Sequence, residues 1–365
     1  MKLDHLRPLA ENPGPWASVY LDASHDDQSR GHQVDLRWQA LKASLAGQGC
    51  DEEIILAVEN ALHDQPQQPG RYGLAIFARA GEPPVVEPLP APPPADEATF
   101  GVLAHLMPLL AMRDEEVSYV RVIADRTGAD VDAVSAGGVP RHRKVTGSEQ
   151  FPMTKVHAGG WRNLRYQEAV EETWKRNAGD VVTAAAGLAD RVDAEVIVVG
   201  GDVRAVEDFI RQLPKRWQSR VVKADTGSRQ SGPDDSALAE AIASVASQHA
   251  QDAVDRYRAQ LADGTAASGL SEVAAHLQGG QVDTVLLVNH PTSTDTLWID
   301  PADPAGVATS DEPLREAGVS SPIKVRADDA LVRAIAGTGA DLILLGPGEA
   351  PMRHDIGAVM RYAIA

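Results

Sequence analysis

The run Val196-Ile197-Val198-Val199 constrains the fold of this chain more than any other feature. Four consecutive β-branched residues favour a strand, and an apolar run without polar alternation is typical of a strand covered on both faces. Helix-like segments flank it at about 162–189 and 206–213, and another apolar pair follows at Val221-Val222. Strands and helices that alternate in this way predict a parallel α/β unit.

Similar short apolar runs, separated by helical patterns, occur along the rest of the 365 residues. Strands are predicted at 16–21, 73–78, 117–124, 129–134, 284–288, 296–299 and 342–345, and helices near 34–45, 54–62, 237–261, 270–277 and 331–336. Asp51 is the expected N-cap of the helix at 54–62. The pattern predicts the α/β fold class, and the length indicates two or three domains.

Seven of the twelve residues from Pro83 to Pro94 are proline. Proline has no backbone N–H to donate, so this segment suits neither a helix interior nor a central strand. It is therefore an extended connector or an edge strand. A surface loop inside one domain and a linker between two domains explain it equally well.

Charge is distributed unevenly along the chain. The net charge is −18, yet the window 141–165 contains six cationic residues and a single anionic residue, Glu149. An acidic protein is poorly suited to coat DNA or a membrane, but a local cationic loop suits contact with RNA phosphates. The predicted RNA-binding residues are Arg141, Arg143, Lys144, Lys155, His157, Gly159, Gly160, Trp161, Arg162 and Arg165. The alternative is a solvated loop whose charge has no partner.

The sequence Gly159-Gly160-Trp161 lies inside this basic window. Two adjacent glycines permit a tight loop tip. A tryptophan exposed at such a tip stacks well on a nucleobase while neighbouring arginines hold phosphates. Alternatively, Trp161 fixes the loop to the helix that follows it.

The sequence contains none of three common motifs of nucleotide-binding and hydrolytic enzymes. The chain has no Gly-x-x-x-x-Gly-Lys-Ser/Thr loop, no His-Glu-x-x-His pair and no Gly-x-Ser-x-Gly elbow. Cys50 is the sole cysteine, which excludes an intrachain disulfide and a cysteine-based metal site, and we expect neither a metal nor a cofactor. The Gly200-Gly201 turn would suit a small-ligand sensor, although packing explains it more simply. A signal-peptide pattern and a membrane-length apolar run are both missing, which predicts a cytoplasmic protein.

Four stretches resemble, in order and spacing, the archaeo-eukaryotic class I peptide-chain release factors. Residues 159–167 resemble the Gly-Gly-Gln loop and helix start of that family, and 117–134 resemble the start of its middle domain. Residues 274–288 and 355–362 resemble the beginning and the Arg-Tyr end of its C-terminal domain. The resemblance implies a three-domain, release-factor-like architecture. Its domains would be 1–114, N-terminal and α/β; 115–246, a mixed-sheet middle domain with the Gly-Gly-Trp loop; and 247–365, an α-β-α domain like ribosomal protein L7Ae.

The chain departs from that family at the loop tip. The family's glutamine helps to place a water against the peptidyl-tRNA ester, and Trp161 stands in its position here. A glutamine amide offers a donor and an acceptor, whereas an indole offers one N–H donor and no acceptor. The Asn-Ile-Lys-Ser motif of stop-codon readers is also absent. We therefore expect no catalytic residue, no codon reading and no hydrolysis of the usual kind.

A bacterial branch of this superfamily includes the Balon-like ribosome hibernation factors. That resemblance implies a stress-response translation factor that binds rRNA in the vacant A site of the 70S ribosome, in company with elongation factor Tu. A related branch, the Vms-like peptidyl-tRNA hydrolases of ribosome rescue, implies the alternative of an enzyme. Gln167 is the candidate residue for that activity, although it is expected on the helix rather than at the tip.

Overall fold

The computed structural model describes residues 1–24, 32–65, 71–113, 117–125, 128–134, 141–146, 161–224 and 235–362. The chain divides into two compact units. Met1–Asp114 and Ala250–Ala365 together form one unit, and Glu115–His249 form the other. The α/β fold class is confirmed by the alternation of helices and sheets in both units. The three-domain boundaries at 114/115 and 246/247 stay a prediction.

An antiparallel sheet of order β3-β2-β1-β4 organises residues 1–113. The elements of this segment are α1 (Arg7–Ala10), β1 (Trp16–Asp22), α2 (His32–Gly47), α3 (Glu52–His63), β2 (Gly73–Ala78), β3 (Val85–Leu89), β4 (Glu97–Gly101) and α4 (Met107–Met112). Alternate residues of β1 enter different cores, because successive side chains of a strand point to opposite faces. Val19 packs in the cluster that contains α2 and α3, whereas Tyr20 packs with α4.

A mixed sheet of order β7-β6-β5-β8-β9 forms the second unit. Its elements are β5 (Tyr119–Asp125), β6 (Gly128–Val134), β7 (Arg141–Thr146), α5 (Trp161–Val192), β8 (Val196–Gly201), α6 (Val203–Gln212), α7 (Lys215–Gln218) and β9 (Val221–Lys223), followed by α8 (Asp235–Ala262), which continues into the first unit. Strands β5, β8 and β9 are parallel, while β6 and β7 are antiparallel. The predicted mixed sheet of the middle region is thereby confirmed.

The C-terminal segment is built on a sheet of order β10-β16-β11-β15 and a smaller one of order β13-β12-β14. The elements after α8 are β10 (Ala267–Ser268), α9 (Leu270–Gln278), β11 (Val282–Val288), β12 (Thr296–Ile299), β13 (Val307–Ala308), α10 (Glu312–Glu316), β14 (Ile323–Arg326), α11 (Ala327–Thr338), β15 (Asp341–Leu345) and β16 (Ile356–Met360). Along β11, Val285 packs with α9 and α11, whereas Leu286 packs with α8. Helices on both faces give the predicted α-β-α arrangement.

The proline-rich segment contains an edge strand, β3 (Val85–Leu89), which includes one of its seven prolines. Strand β3 pairs with β2 at the rim of the N-terminal sheet, and Pro88 lies opposite Leu74. An edge strand tolerates proline because one side of its backbone has no strand to pair with. Asp51 occupies the N-cap position of α3 with extended backbone angles, but its side chain makes no capping hydrogen bond.

Among the described residues, no helix is both long and apolar enough to cross a bilayer.

Candidate functional site

Three of the predicted RNA-binding residues lie on an edge strand that the sequence did not predict. Arg141, Arg143 and Lys144 belong to β7, which, in the part of the chain that the structure describes, pairs with β6 alone. The register places Arg143 opposite Val131 and Lys144 opposite Asp130. These three cationic residues are therefore carried by a hydrogen-bonded ladder rather than by an irregular loop.

Three further predicted residues begin a long helix. Helix α5 starts at Trp161 and includes Arg162 and Arg165 in its first turns. Gln167, the candidate residue of the enzymatic alternative, lies within the same helix, as expected. Lys155, His157, Gly159 and Gly160 lie outside the described residues, as does the tip that they were predicted to form.

The far half of α5 anchors this region to the sheet. Val181, Ala185 and Leu188 are buried in one cluster with Val122 of β5 and Val199 of β8. Since apolar burial is the main favourable term in packing, these contacts hold the helix against the sheet. The start of α5 and the end of β7 therefore belong to the same compact unit.

An ion pair supports the strand next to β7. On β6, Asp132 accepts a hydrogen bond from Nε of Arg121 at 2.8 Å, and Arg121 lies opposite it on β5. Both side chains are at least three-quarters buried. A charge-assisted bond in this position stabilises the hairpin to which the basic edge strand is attached.

The Gly200-Gly201 turn is explained by packing. Gly201 has a φ of 117°, and a Cβ there would lie 2.0 Å from the carbonyl oxygen of Ala124. The adjacent helix start is capped from within the chain, because Oδ1 of Asp202 accepts hydrogen bonds from the amides of Arg204 and Ala205, each at 3.1 Å. The cavity beside them has a volume of about 20 Å³, room for a single water. This geometry argues against a small-ligand sensor at the turn.

A larger recess of about 490 Å³ lies in the C-terminal segment beside the start of α9. Two ion pairs lie at this recess: Nε2 of His290 lies 2.9 Å from Oδ2 of Asp355, and Arg353 pairs with Glu272. Among the described residues no serine hydroxyl bonds to His290, so no nucleophile–base pair is formed. We assign no catalytic role to this recess.

A group of His and Asp side chains also lies in the first unit. His105, Asp328 and Asp329 bring ligand-type atoms within 4.8 Å of one another. Arg326 already supplies a cation there, since its Nη2 lies 2.7 Å from Oδ2 of Asp328, and Nδ1 of His105 is 2.8 Å from Oδ1 of Asp329. Because these groups satisfy one another, we assign no metal ion to them. The sequence gives no sign of this group, whose members are 224 residues apart.

The model of one protein family matches the middle of the chain. Residues 118–263 match Bacterial archaeo-eukaryotic release factor family 2. Uncharacterized protein Rv2629 of Mycobacterium tuberculosis (strain ATCC 25618 / H37Rv) is 30% identical over 370 residues, which cover 100% of this chain and 97% of that protein.

Two solved structures, of an archaeal and a yeast protein, also match the chain. A model of ribosome-bound archaeal Pelota and ABCE1 matches 99% of this chain and 93% of that chain at 15% identity, with a TM-score of 0.34. Saccharomyces cerevisiae Dom34, a translation termination-like factor, matches 82% of this chain and 76% of its own at 11% identity, with a TM-score of 0.37.

Proposed function

The chain belongs to the bacterial branch of the archaeo-eukaryotic release factor superfamily, and from that premise we propose that it is a ribosome-binding translation factor. In the finer form of the proposal, it occupies the vacant A site of the 70S ribosome during stress and cleaves nothing there. Its partners are then the rRNA of the A site and of the peptidyl-transferase centre, and elongation factor Tu.

The distribution of charge supports this proposal. Residues 115–249 contain 18 Lys and Arg against 20 Asp and Glu, whereas the rest of the chain has 16 against 32. The acidic first unit is repelled by RNA, while the nearly neutral second unit carries the cationic window at 141–165. The electrostatic attraction to RNA phosphates is therefore stronger for the second unit than for the first.

The observation that carries the proposal is the placement of the two ends of that window. Arg141, Arg143 and Lys144 lie on β7, and Trp161, Arg162 and Arg165 begin α5. Both elements belong to one sheet-based unit, so the cations reach RNA on an ordered framework. A framework of this kind reduces the entropy lost on binding.

Trp161 supports occupancy without catalysis. Water attack on an ester requires a group that orients the nucleophile closely, and an indole N–H cannot both donate to and accept from that water. Gln167 has a suitable amide, but it lies within α5 rather than before it. A factor built in this way blocks the site without releasing the peptide.

Co-sedimentation with 70S ribosomes tests the proposal. The variant Arg141→Ala/Arg143→Ala/Lys144→Ala removes three charges from β7 and is expected to weaken binding by about tenfold or more at moderate salt. Arg211→Ala/Lys215→Ala/Lys223→Ala removes the same charge from α6, α7 and β9, towards the opposite edge of the same sheet, and is the matched control. Equal loss of ribosome affinity in both variants would show that only the net charge matters and not the position of the cations. Failure of the wild-type protein to sediment with ribosomes would refute ribosome binding.

An assay for released peptide distinguishes a non-catalytic ribosome-binding factor from a peptidyl-tRNA hydrolase. Stalled ribosome complexes that carry a labelled peptidyl-tRNA are incubated with the purified protein. We expect bound protein and no released peptide. Release by the wild-type protein that disappears in Gln167→Ala would identify a peptidyl-tRNA hydrolase instead.

A further inference from the structure

His105 is held on both sides of its backbone by the N-terminal sheet. Its amide donates to Oγ of Ser18 at 2.9 Å, and its carbonyl oxygen accepts from the hydroxyl of Tyr20 at 2.6 Å. Both partners belong to β1, and all three residues are buried. The histidine therefore moves with the N-terminal sheet.

The imidazole of His105 reaches across to the C-terminal segment. Nδ1 lies 2.8 Å from Oδ1 of Asp329 and 3.9 Å from Oδ2 of Asp328, both in the first turn of α11. The side chains of His105 and Asp329 are only 8% and 7% exposed. This contact joins residues that are 224 positions apart in the chain.

The second ring nitrogen faces another carboxylate. Nε2 of His105 lies 3.6 Å from Oε1 of Glu97 on β4, too far for a hydrogen bond. This oxygen is buried and, among the described residues, has no hydrogen-bond partner, although the rest of the Glu97 side chain is partly exposed. Both ring nitrogens therefore point at carboxylate oxygens, and only the imidazolium form carries an N–H on each of them.

The charges around the ring also favour a bound proton. Glu97, Asp328 and Asp329 bring three carboxylates, and Arg326 is the cation that pairs with the two aspartates. With a neutral imidazole the group carries a formal charge of about −2, and protonation of the ring reduces it to about −1. Burying excess negative charge is costly, so protonation of His105 stabilises the folded state.

We propose that His105 is a proton-operated clasp between the N-terminal sheet and helix α11. With the proton bound, imidazolium ties Glu97 of β4 to Asp329 of α11. When the proton leaves, one of the two carboxylates loses its N–H partner and the two segments separate more readily. The clasp does not depend on ribosome binding, so each can fail without the other.

The directions of the pKa shifts agree with this geometry. Burial lowers the pKa of His105, but the hydrogen bond and charge of Asp329 and the charge of Asp328 outweigh it, and the pKa lies above its usual 6.5. Burial raises the pKa of Asp329 against the opposing effect of His105. Both groups thus hold protons more tightly in the folded state. The stabilisation by His105 is complete below the pKa of unfolded histidine and is lost as pH rises through the raised folded value.

Two measurements on the full-length protein test the clasp. The first is an NMR titration of the histidine ring protons, with the His105 signal assigned by its absence in His105→Asn. We expect a midpoint above 6.5 in the wild-type protein and a lower midpoint in Asp329→Asn. A wild-type midpoint at or below 6.5 would overturn the proposal.

The second measurement is hydrogen–deuterium exchange in the segments 97–112 and 327–338 at pH 6 and pH 8. His105→Asn should accelerate exchange of both segments more at pH 6 than at pH 8, by up to about tenfold for one unit of pKa shift. His290→Asn removes an exposed histidine paired with Asp355 in the same unit and should leave both segments unchanged. Equal acceleration at both pH values would make His105 a packing residue only. Should His105→Asn fail to fold, Asp329→Asn is measured in its place.

Discussion

Arg121 and Asp132 form an ion pair across the β5–β6 hairpin, and Asp132 lies in register opposite His142 of the basic edge strand β7. Replacing Asp132 with alanine leaves a largely buried guanidinium without this partner. We expect a loss of about 1–2 kcal/mol in the free energy of unfolding of the second unit, measured by urea denaturation. Arg211→Ala breaks the exposed pair with Asp208 in the same unit and should cost less than about 0.5 kcal/mol. Similar losses in the two variants would show that burial of the pair does not matter.

Gly201 is expected to tolerate no side chain. Its φ of 117° is strained for any L residue, and a Cβ would lie 2.0 Å from the oxygen of Ala124. Gly201→Ala should therefore destabilise the protein by about 3 kcal/mol or more. Gly187, inside α5, has open space around the position of a Cβ, so Gly187→Ala should be neutral or stabilising by up to about 1 kcal/mol. Thermal denaturation of both variants makes the comparison, and a stable Gly201→Ala protein would contradict the geometry of the turn.

Arg333 joins the two segments of the first unit through backbone carbonyls. Its guanidinium donates to the oxygens of Glu11, Asp303 and Pro301 at 3.3, 3.0 and 3.2 Å, and the residue is 1% exposed. Arg333→Ala leaves the carbonyl oxygens of Glu11 and Pro301 without this donor, while that of Asp303 keeps its bond from the amide of Gly306, and should cost about 2–3 kcal/mol.

The exposed Arg315–Asp311 pair in the same unit provides the comparison for Arg333. Arg315→Ala should change the unfolding free energy by less than about 0.5 kcal/mol. Chemical denaturation that gives the same midpoint for both variants would show that the buried guanidinium is dispensable.

Cys50 is expected to be unreactive in the folded protein. Burial, with a contribution from the charge of Asp51, raises the pKa of its thiol to about 11. At pH 8 about one thiol in a thousand is then ionised, against roughly one in four for an ordinary cysteine. Alkylation by iodoacetamide, followed by mass spectrometry, should be slow in the native protein, faster as pH rises, and rapid after unfolding. Native and unfolded protein that react at the same rate would contradict the burial of Cys50.

Strongly patterned elements could be predicted from the sequence, and elements that depend on distant partners could not. The apolar run Val196-Ile197-Val198-Val199 predicts a strand, which β8 confirms, whereas Arg141–Thr146 has the composition of a loop and becomes a strand only by pairing with β6. Strand β13, Val307–Ala308, is too short to have any periodicity and is likewise defined by its pairing with β12.

The candidate site follows the same distinction. The basic window and the tryptophan at the glutamine position are properties of the sequence, and their assignment to RNA binding stays a prediction. The contact of His105 with Asp329 could not be foreseen, because neither residue has an informative neighbourhood in the sequence and only the folded chain brings them together.

The salt dependence of the affinity for 70S ribosomes is the sharpest test of the proposed phosphate contacts. If the six cations between Arg141 and Arg165 each neutralise one rRNA phosphate, the logarithm of the association constant should fall against the logarithm of salt concentration with a slope of about −4, at ~0.7 per contact. Removal of Arg141, Arg143 and Lys144 should reduce that slope to about −2. An affinity for 70S ribosomes that does not change with salt, or no binding at low salt, would rule out binding through these phosphate contacts.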